Sequence, residues 1–444
     1  MQITAKASFG DRFLIKGIIT GFLILVMLIP SVFVLNLVEE RKERQQEVIA
    51  EVSSKWASAQ TLSGPFLIVP YERNFIDTDK KPAIVTEQLI VLPEQLLVNG
   101  TVQPQIKQRS IYKVALYKSS IKLDGHFDLK NIAAGENETI LWSKASLCMG
   151  LTDSRGIEAQ MQSTAAQMPL TFDAGIPENG LAERGVSVPV DLSKVLADGK
   201  LDFTIPLSVR GSESLQVLPL GKTSSMQLRS EWESPSYIGK FLPQHNPDIK
   251  GFDAKWQVLH FNRDFPQIWK NRSYKAAEYA FGVSLIQPAD NYAKTMRSVK
   301  YAILFIGLMF GFFFLLEIML GYRVHPVQYV LVGIALIVFY TLLLSIGELL
   351  TFNIAYAMAT FATVSLITLY AKQLFVKWSN ALLIGGFLFG LYAFIYVLIQ
   401  LEDTSLLAGS IGLFLLVALA MYFSRKINWY QQPTAPAVES KEEA

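Results

Sequence analysis

Six long apolar runs, and the places where they fall, constrain this chain more than any other feature. One lies near the N-terminus, over residues 17–38. Five crowd the C-terminal third, over 301–320, 327–347, 354–371, 381–400 and 405–423. A helix needs about 20 apolar residues to cross the hydrocarbon core of a bilayer. Each run is close to that length, and the stretch between the first and second, residues 39–298, holds none. The pattern predicts an α+β membrane protein with six transmembrane helices, one N-terminal and five C-terminal. A large extracytoplasmic domain is inserted between the first and the second. Only 18% of the residues are charged, against roughly 25% in soluble domains.

Lys6, Arg12 and Lys16 precede the first run, as basic residues precede a signal peptide's apolar core. The run is longer than the roughly 7–15 residues of a cleavable core, and no Ala-x-Ala-like site follows it. An uncleaved signal anchor is expected, mildly kinked at Pro30. The short loops then set orientation through their Lys and Arg content. With the N-terminus inside, Arg323 and His325, Lys372 and Lys377, and Arg425 and Lys426 all fall inside. Glu348, and then Glu402 and Asp403, fall outside with no Lys or Arg beside them. Residues 39–298 are then outside the cytoplasm, in the periplasm of a Gram-negative cell. Lys294, Arg297 and Lys300 stand on the outer side against the rule, which gives less weight to charges beside a long translocated domain.

The expected organisation is a cytoplasmic N-terminus (1–16), the anchor helix (17–38), a juxtamembrane helix (39–62), a β-rich periplasmic domain (63–298), a five-helix bundle (299–424) and a disordered cytoplasmic tail (425–444). In the juxtamembrane segment Val48, Val52 and Trp56 recur every four residues, an apolar stripe suited to docking on the domain that follows. Beyond Ser63-Gly64-Pro65 the texture becomes that of strands. Leu201, Phe203, Ile205, Leu207 and Val209 alternate with polar residues, which predicts a half-buried strand, with Pro206 placing it at an edge. Asn99-Gly100, Asp124-Gly125 and Asp198-Gly199 read as turns. Many short strands of this kind predict an antiparallel, sandwich-like architecture.

The chemistry-bearing motifs are few. Leu220-Gly221-Lys222-Thr223 ends like a phosphate loop, but Gln216 stands where the first glycine belongs and the following residues alternate as a strand. Ser119 and Lys122 have the spacing of a serine–lysine pair, yet strand periodicity sends them to opposite faces. Asp153-Ser154-Arg155-Gly156 reads as a polar turn with a structural ion pair. The single Cys148 and four scattered histidines point to no metal site and no cofactor, and a net charge of +2 to no nucleic-acid partner. Within the membrane, ionisable residues are costly and mark candidate sites. Glu317 lies near Arg323 and His325 at the cytoplasmic end of the second span, and Glu348 at the outer end of the third. For each, anchoring by pairing is the plainer reading beside proton relay. Gly385-Gly386 and Gly390 suit close helix packing.

Several longer segments resemble the CreD family of bacterial inner-membrane proteins. They are Ser63–Pro70, Leu92–Gly100, Asp153–Ile157, Ser230–Pro243, Gln287–Tyr292 and Arg323–Gly333, and the similarity covers nearly the whole chain. The resemblance implies a Gram-negative inner-membrane protein under two-component control, linked to envelope integrity and tolerance of cell-wall stress such as β-lactams. It brings no catalytic residues. A non-enzymatic envelope protein is therefore expected, with the lipid bilayer and a periplasmic protein or cell-wall component as partners. Transport of an envelope component through the bundle, or an envelope-modifying enzyme, are the rival readings.

Overall fold

The computed structural model describes residues 9–76, 82–130, 132–165, 168–178, 180–247, 249–270, 274–285, 291–320, 322, 324–401 and 405–424. The expected disordered tail, 425–444, lies outside them. The chain divides into two compact units, Met1–Arg44 with Ala289–Ala444, and Gln45–Pro288.

The first unit is helical. Helix α1 runs unbroken from Phe9 to Trp56, through Pro30. The juxtamembrane helix continues the anchor as one helix, as expected, and ends at Trp56. It is followed after the second unit by α2 (Asn291–Lys300), α3 (Ala302–Leu320), α4 (Pro326–Gly347), α5 (Phe352–Phe375), α6 (Trp378–Gln400) and α7 (Ser405–Ser424). Among the described residues, five helices are long and apolar enough to cross a membrane: α1 and α3 to α6. The sixth expected span is the helix α7, many of whose side chains lie outside the described residues. Large apolar side chains face outward all along the unit, Phe22, Phe33 and Phe361 among them. In water such a surface would drive association, whereas in a bilayer it is solvated. Inside, Phe305, Phe310, Phe339, Tyr340 and Tyr392 are fully buried. Gly385 packs against Thr368 of α5, but a Cβ on Gly386 or Gly390 would meet nothing among the described residues. The close packing expected of all three glycines therefore holds only at Gly385.

The second unit holds two sheets. In the first, β1 (Gln60–Ile76) is central. It pairs antiparallel with β2 (Pro82–Val91) and with Ala145–Leu151, and parallel with Ser214–Val217. In the second, β3 (Gln95–Arg109) pairs antiparallel with β4 (Tyr112–Asp128) and parallel with Thr223–Ser230. Lys200–Ser212 extends this sheet beyond β4, and Phe252–Leu259 extends it on the other side. One core draws side chains from both sheets, Leu67, Val69 and Leu147 from the first and Leu96, Val98, Leu123 and Leu228 from the second. That is the sandwich. A second apolar cluster, with Phe66, Ile68, Cys148, Phe265 and Trp269, covers the outer face of the first sheet. β1 is thus buried on both faces from Leu62 to Val69, and reads as a nearly continuous apolar run rather than an alternating one.

The sheets correct three expectations. They are mixed rather than antiparallel. Asn99-Gly100 lies within β3 and Asp124-Gly125 within β4. A Cβ on Gly125 would come within 2.0 Å of the Gln95 carbonyl oxygen, so this glycine admits a close strand approach and makes no turn. The chain reverses instead at Ser110, whose φ is 57°. Asp198-Gly199 is a turn as expected, with Gly199 at φ +63°. Pro206 faces Lys122 on one side. The opposite edge is paired at Phe203 and Thr204 and bridged to Ile157 at Val209, and the proline occupies the open stretch between them.

Candidate functional site

Three of the four membrane residues singled out by sequence are described, and Arg323 lies outside the described residues. Glu317 sits in the last turn of α3 and is 4% exposed. Its Oε1 accepts from the Lys16 ammonium of α1 and from the Val324 backbone N–H at 3.0 Å. Its Oε2 accepts from the Tyr329 hydroxyl of α4 at 3.2 Å. One carboxylate thus ties together α1, the α3–α4 link and α4. His325 is exposed and caps α4. Its Nδ1 accepts from the Val327 N–H at 3.3 Å, and its own N–H donates to Gln328 Oε1 at 2.8 Å. This reciprocal box satisfies donors that a helix start leaves unpaired.

Glu348 lies at the other end of α4, apart from Glu317 and His325. It accepts from the Tyr292 hydroxyl of α2 at 3.3 Å, and the Arg41 guanidinium of α1 stands 3.8 Å away. Lys16 and Arg41 are about 37 Å apart along α1 at 1.5 Å per residue, enough to bracket a hydrocarbon core of about 30 Å. The two acidic residues therefore pin one helix to the bundle at both ends of its span.

In the second unit the Asp153–Gly156 turn is the ion-paired turn expected. Arg155 donates to Asp153 at 2.7 and 2.9 Å, and its other arm donates to the Ser54 carbonyl near the end of α1 at 2.6 Å. Asp153 also accepts from the Ser58 N–H and hydroxyl. The hydrogen bonds from Arg155 hold its carboxyl well below the usual carboxylate range. Gln60, fully buried, donates to the Asp153 carbonyl at 2.9 Å. Trp56, the last residue of the helical stripe, lies under the Arg210 guanidinium at 4.8 Å and the Lys107 ammonium at 5.1 Å. The turn is a clasp that fastens the end of α1 to the sandwich.

Leu220–Thr223 leads into the strand Thr223–Ser230, where a phosphate loop would lead into a helix. The Leu220 carbonyl accepts at 3.2 Å from Arg263, a buried guanidinium that burial pushes down to about 10. The Ser119 hydroxyl donates to the Val209 carbonyl, and Lys122 pairs with Asp124, which leaves no serine–lysine couple. Among the described residues no group of His, Cys, Asp and Glu is placed to hold a metal ion.

The outward face of the second sheet is hollowed. Three adjoining hollows of about 380, 690 and 410 Å³ share the strands β3 and Thr223–Ser230. The 410 Å³ hollow shares Asn99 and Gln227 with the first and Thr101 and Arg229 with the second, pairs set side by side by the parallel register. Asp253 accepts from Gln227 at 2.7 Å and from Arg229 at 3.0 Å, and Lys122, Lys250 and Lys255 line the same hollows beside the amides and hydroxyls. Sequence reasoning passed over this face because its residues are the ordinary polar half of alternating strands. Lys16 and Gln60 were missed because their partners lie hundreds of positions away or nearly a hundred.

Apolar helices, outward-facing hydrophobic side chains and a β-sandwich unit inserted between the first and second spans define a multi-pass membrane protein. A family model described as Inner membrane protein CreD matches residues 12–430. The Inner membrane protein CreD of Escherichia coli (strain K12) is 29% identical over 428 residues, which cover 94% of each chain. The chain belongs to the CreD family.

Proposed function

We propose that the chain supports cell envelope integrity under cell-wall stress, including β-lactam stress, and that it does so by binding rather than catalysis. Its sandwich unit is periplasmic, both termini are cytoplasmic, and the sandwich engages a protein or cell-wall component. The observation that carries this reading is the hollowed outer face of the second sheet. Amides and hydroxyls there offer paired donors and acceptors to a polar partner, with Lys122, Arg229, Lys250 and Lys255 at hand for its acceptor groups. The Asp253 carboxylate on that face is already held by Gln227 and Arg229, which suits recognition better than acid–base work. Glu317 is read as an anchor, because Lys16, Val324 and Tyr329 take up both of its oxygens.

The test is uptake of a membrane-impermeant dye in cells lacking the protein, with and without cell-wall stress. Uptake is expected to rise and to be restored by the intact chain, but not by a chain carrying Asn99→Arg with Gln227→Arg. Full restoration by that variant would reject the sheet face as the working surface. Unchanged uptake on deletion would reject the envelope reading.

A further inference from the structure

Between α5 and α6 runs an open groove of about 600 Å³. Its walls are the rings of Phe361 and Phe389, and Ala357 and Ala393 lie in its floor. Gly386 and Gly390, on the α6 face that carries Ala393, look into open space. α7 meets α6 elsewhere, at Phe394 against Gly412, ~100° round the helix from Ala393. From Asn353 to Val364 the groove spans about 17 Å at 1.5 Å per residue, roughly one leaflet of a 30 Å core. Thr360 lines it, and its buried hydroxyl has no partner among the described residues.

Only one end of the groove is polar. Asn353, at that end, accepts from Gln400 at 2.9 Å, and Gln400 accepts from the Lys294 ammonium at 3.3 Å. Lys294 belongs to α2, where Arg297 and Lys300 follow at three-residue spacing and so share its face. These are the three cations that stand on the outer side against the charge rule. α2 buries Tyr292, Thr295, Ser298 and Val299, an amphipathic helix of the kind that lies at a membrane interface.

An apolar slot one leaflet deep, with a cationic rim at one end, matches an amphiphile with an acyl tail and an anionic head. A second helix would use the slot but gain nothing from Lys294. We propose that the α5–α6 groove holds an acyl chain of an anionic phospholipid whose phosphate is bound by Lys294 and the basic face of α2.

The test uses the full chain in nanodiscs with phosphatidylglycerol and phosphatidylethanolamine, each in turn carrying a photoactivatable acyl chain. Cross-links are expected on residues 353–364 and 389–397, and Ala393→Trp, at an exposed position, should abolish them while labelling of α3 stays. Lys294→Gln should lower the preference for phosphatidylglycerol about fivefold, the size expected of one basic side chain at an anionic surface. Labelling spread evenly round the bundle would overturn the proposal. So would a preference untouched by Lys294→Gln, or cross-links between copies across Gly390, which would make a second chain the occupant.

Discussion

At the residue scale, burial decides chemistry. Cys148 is fully buried beneath the outer face of the first sheet, and that burial pushes its thiol up to about 12. The thiolate is the nucleophile, so at pH 8 Cys148 should resist maleimide and iodoacetamide in the folded protein and react at once in denaturant. The linkage has a sign as well. The thiol's pKa is raised above the unfolded value of about 8.5, so its contribution to stability is complete below that pH. That contribution is lost as pH rises toward 12. A native thiol that labels readily at pH 8 would contradict this packing. Glu317 shows how far a residue's meaning can be read in advance. Its cost in the membrane marked it from sequence alone, and a pairing role was legible. The partner was not, because Lys16 lies 301 positions away and only tertiary packing brings the two together. Asp153 and Arg155, two apart, were legible as a pair because local chain geometry suffices.

At the element scale, the ion pair is what seats α1 on the bundle. Removing one member of a buried pair typically costs about 3–5 kcal/mol. Lys16 is a quarter exposed, so Glu317→Ala or Lys16→Ala should cost near the lower figure. The double substitution should cost much less than the sum, and thermal unfolding of the detergent-solubilised chain measures both. Strictly additive losses would mean that the pair does not couple. Glu317→Gln should keep dye exclusion intact if the carboxylate anchors, and abolish it if it relays protons. Gly333 lies in the same seam, where a Cβ would come within 2.8 Å of the Met27 sulfur of α1. Strands were legible for the same reason that helices were, since alternation follows from which face is buried. Their neighbours were not. The parallel pairing of β3 with Thr223–Ser230 joins segments more than a hundred residues apart, and no local signal carries it. Asn99-Gly100 and Asp124-Gly125 misled because glycine serves close strand approach as well as turns.

At the scale of the whole molecule, orientation ties the two units to their compartments, and the silence of Cys148 makes it measurable. A cysteine at Asp198, in the turn before Lys200–Ser212, tests the sandwich unit. A cysteine at Lys377, exposed between α5 and α6, tests the opposite side. The proposed orientation puts Lys377 in the cytoplasm by the charge in the short loops, and α1 passes from Lys16, at the Glu317 end of the bundle, to Arg41, at the Glu348 end. With an impermeant maleimide on intact cells whose outer membrane has been made leaky, Asp198→Cys should label without further treatment. Lys377→Cys should label only after the inner membrane is opened. The unsubstituted chain, whose one thiol is buried, should stay dark in both states. The reverse pattern would put the sandwich in the cytoplasm. Its amide-lined face would then be out of reach of any wall component, and the basic face of α2 would move to the inner leaflet, where it would obey the charge rule.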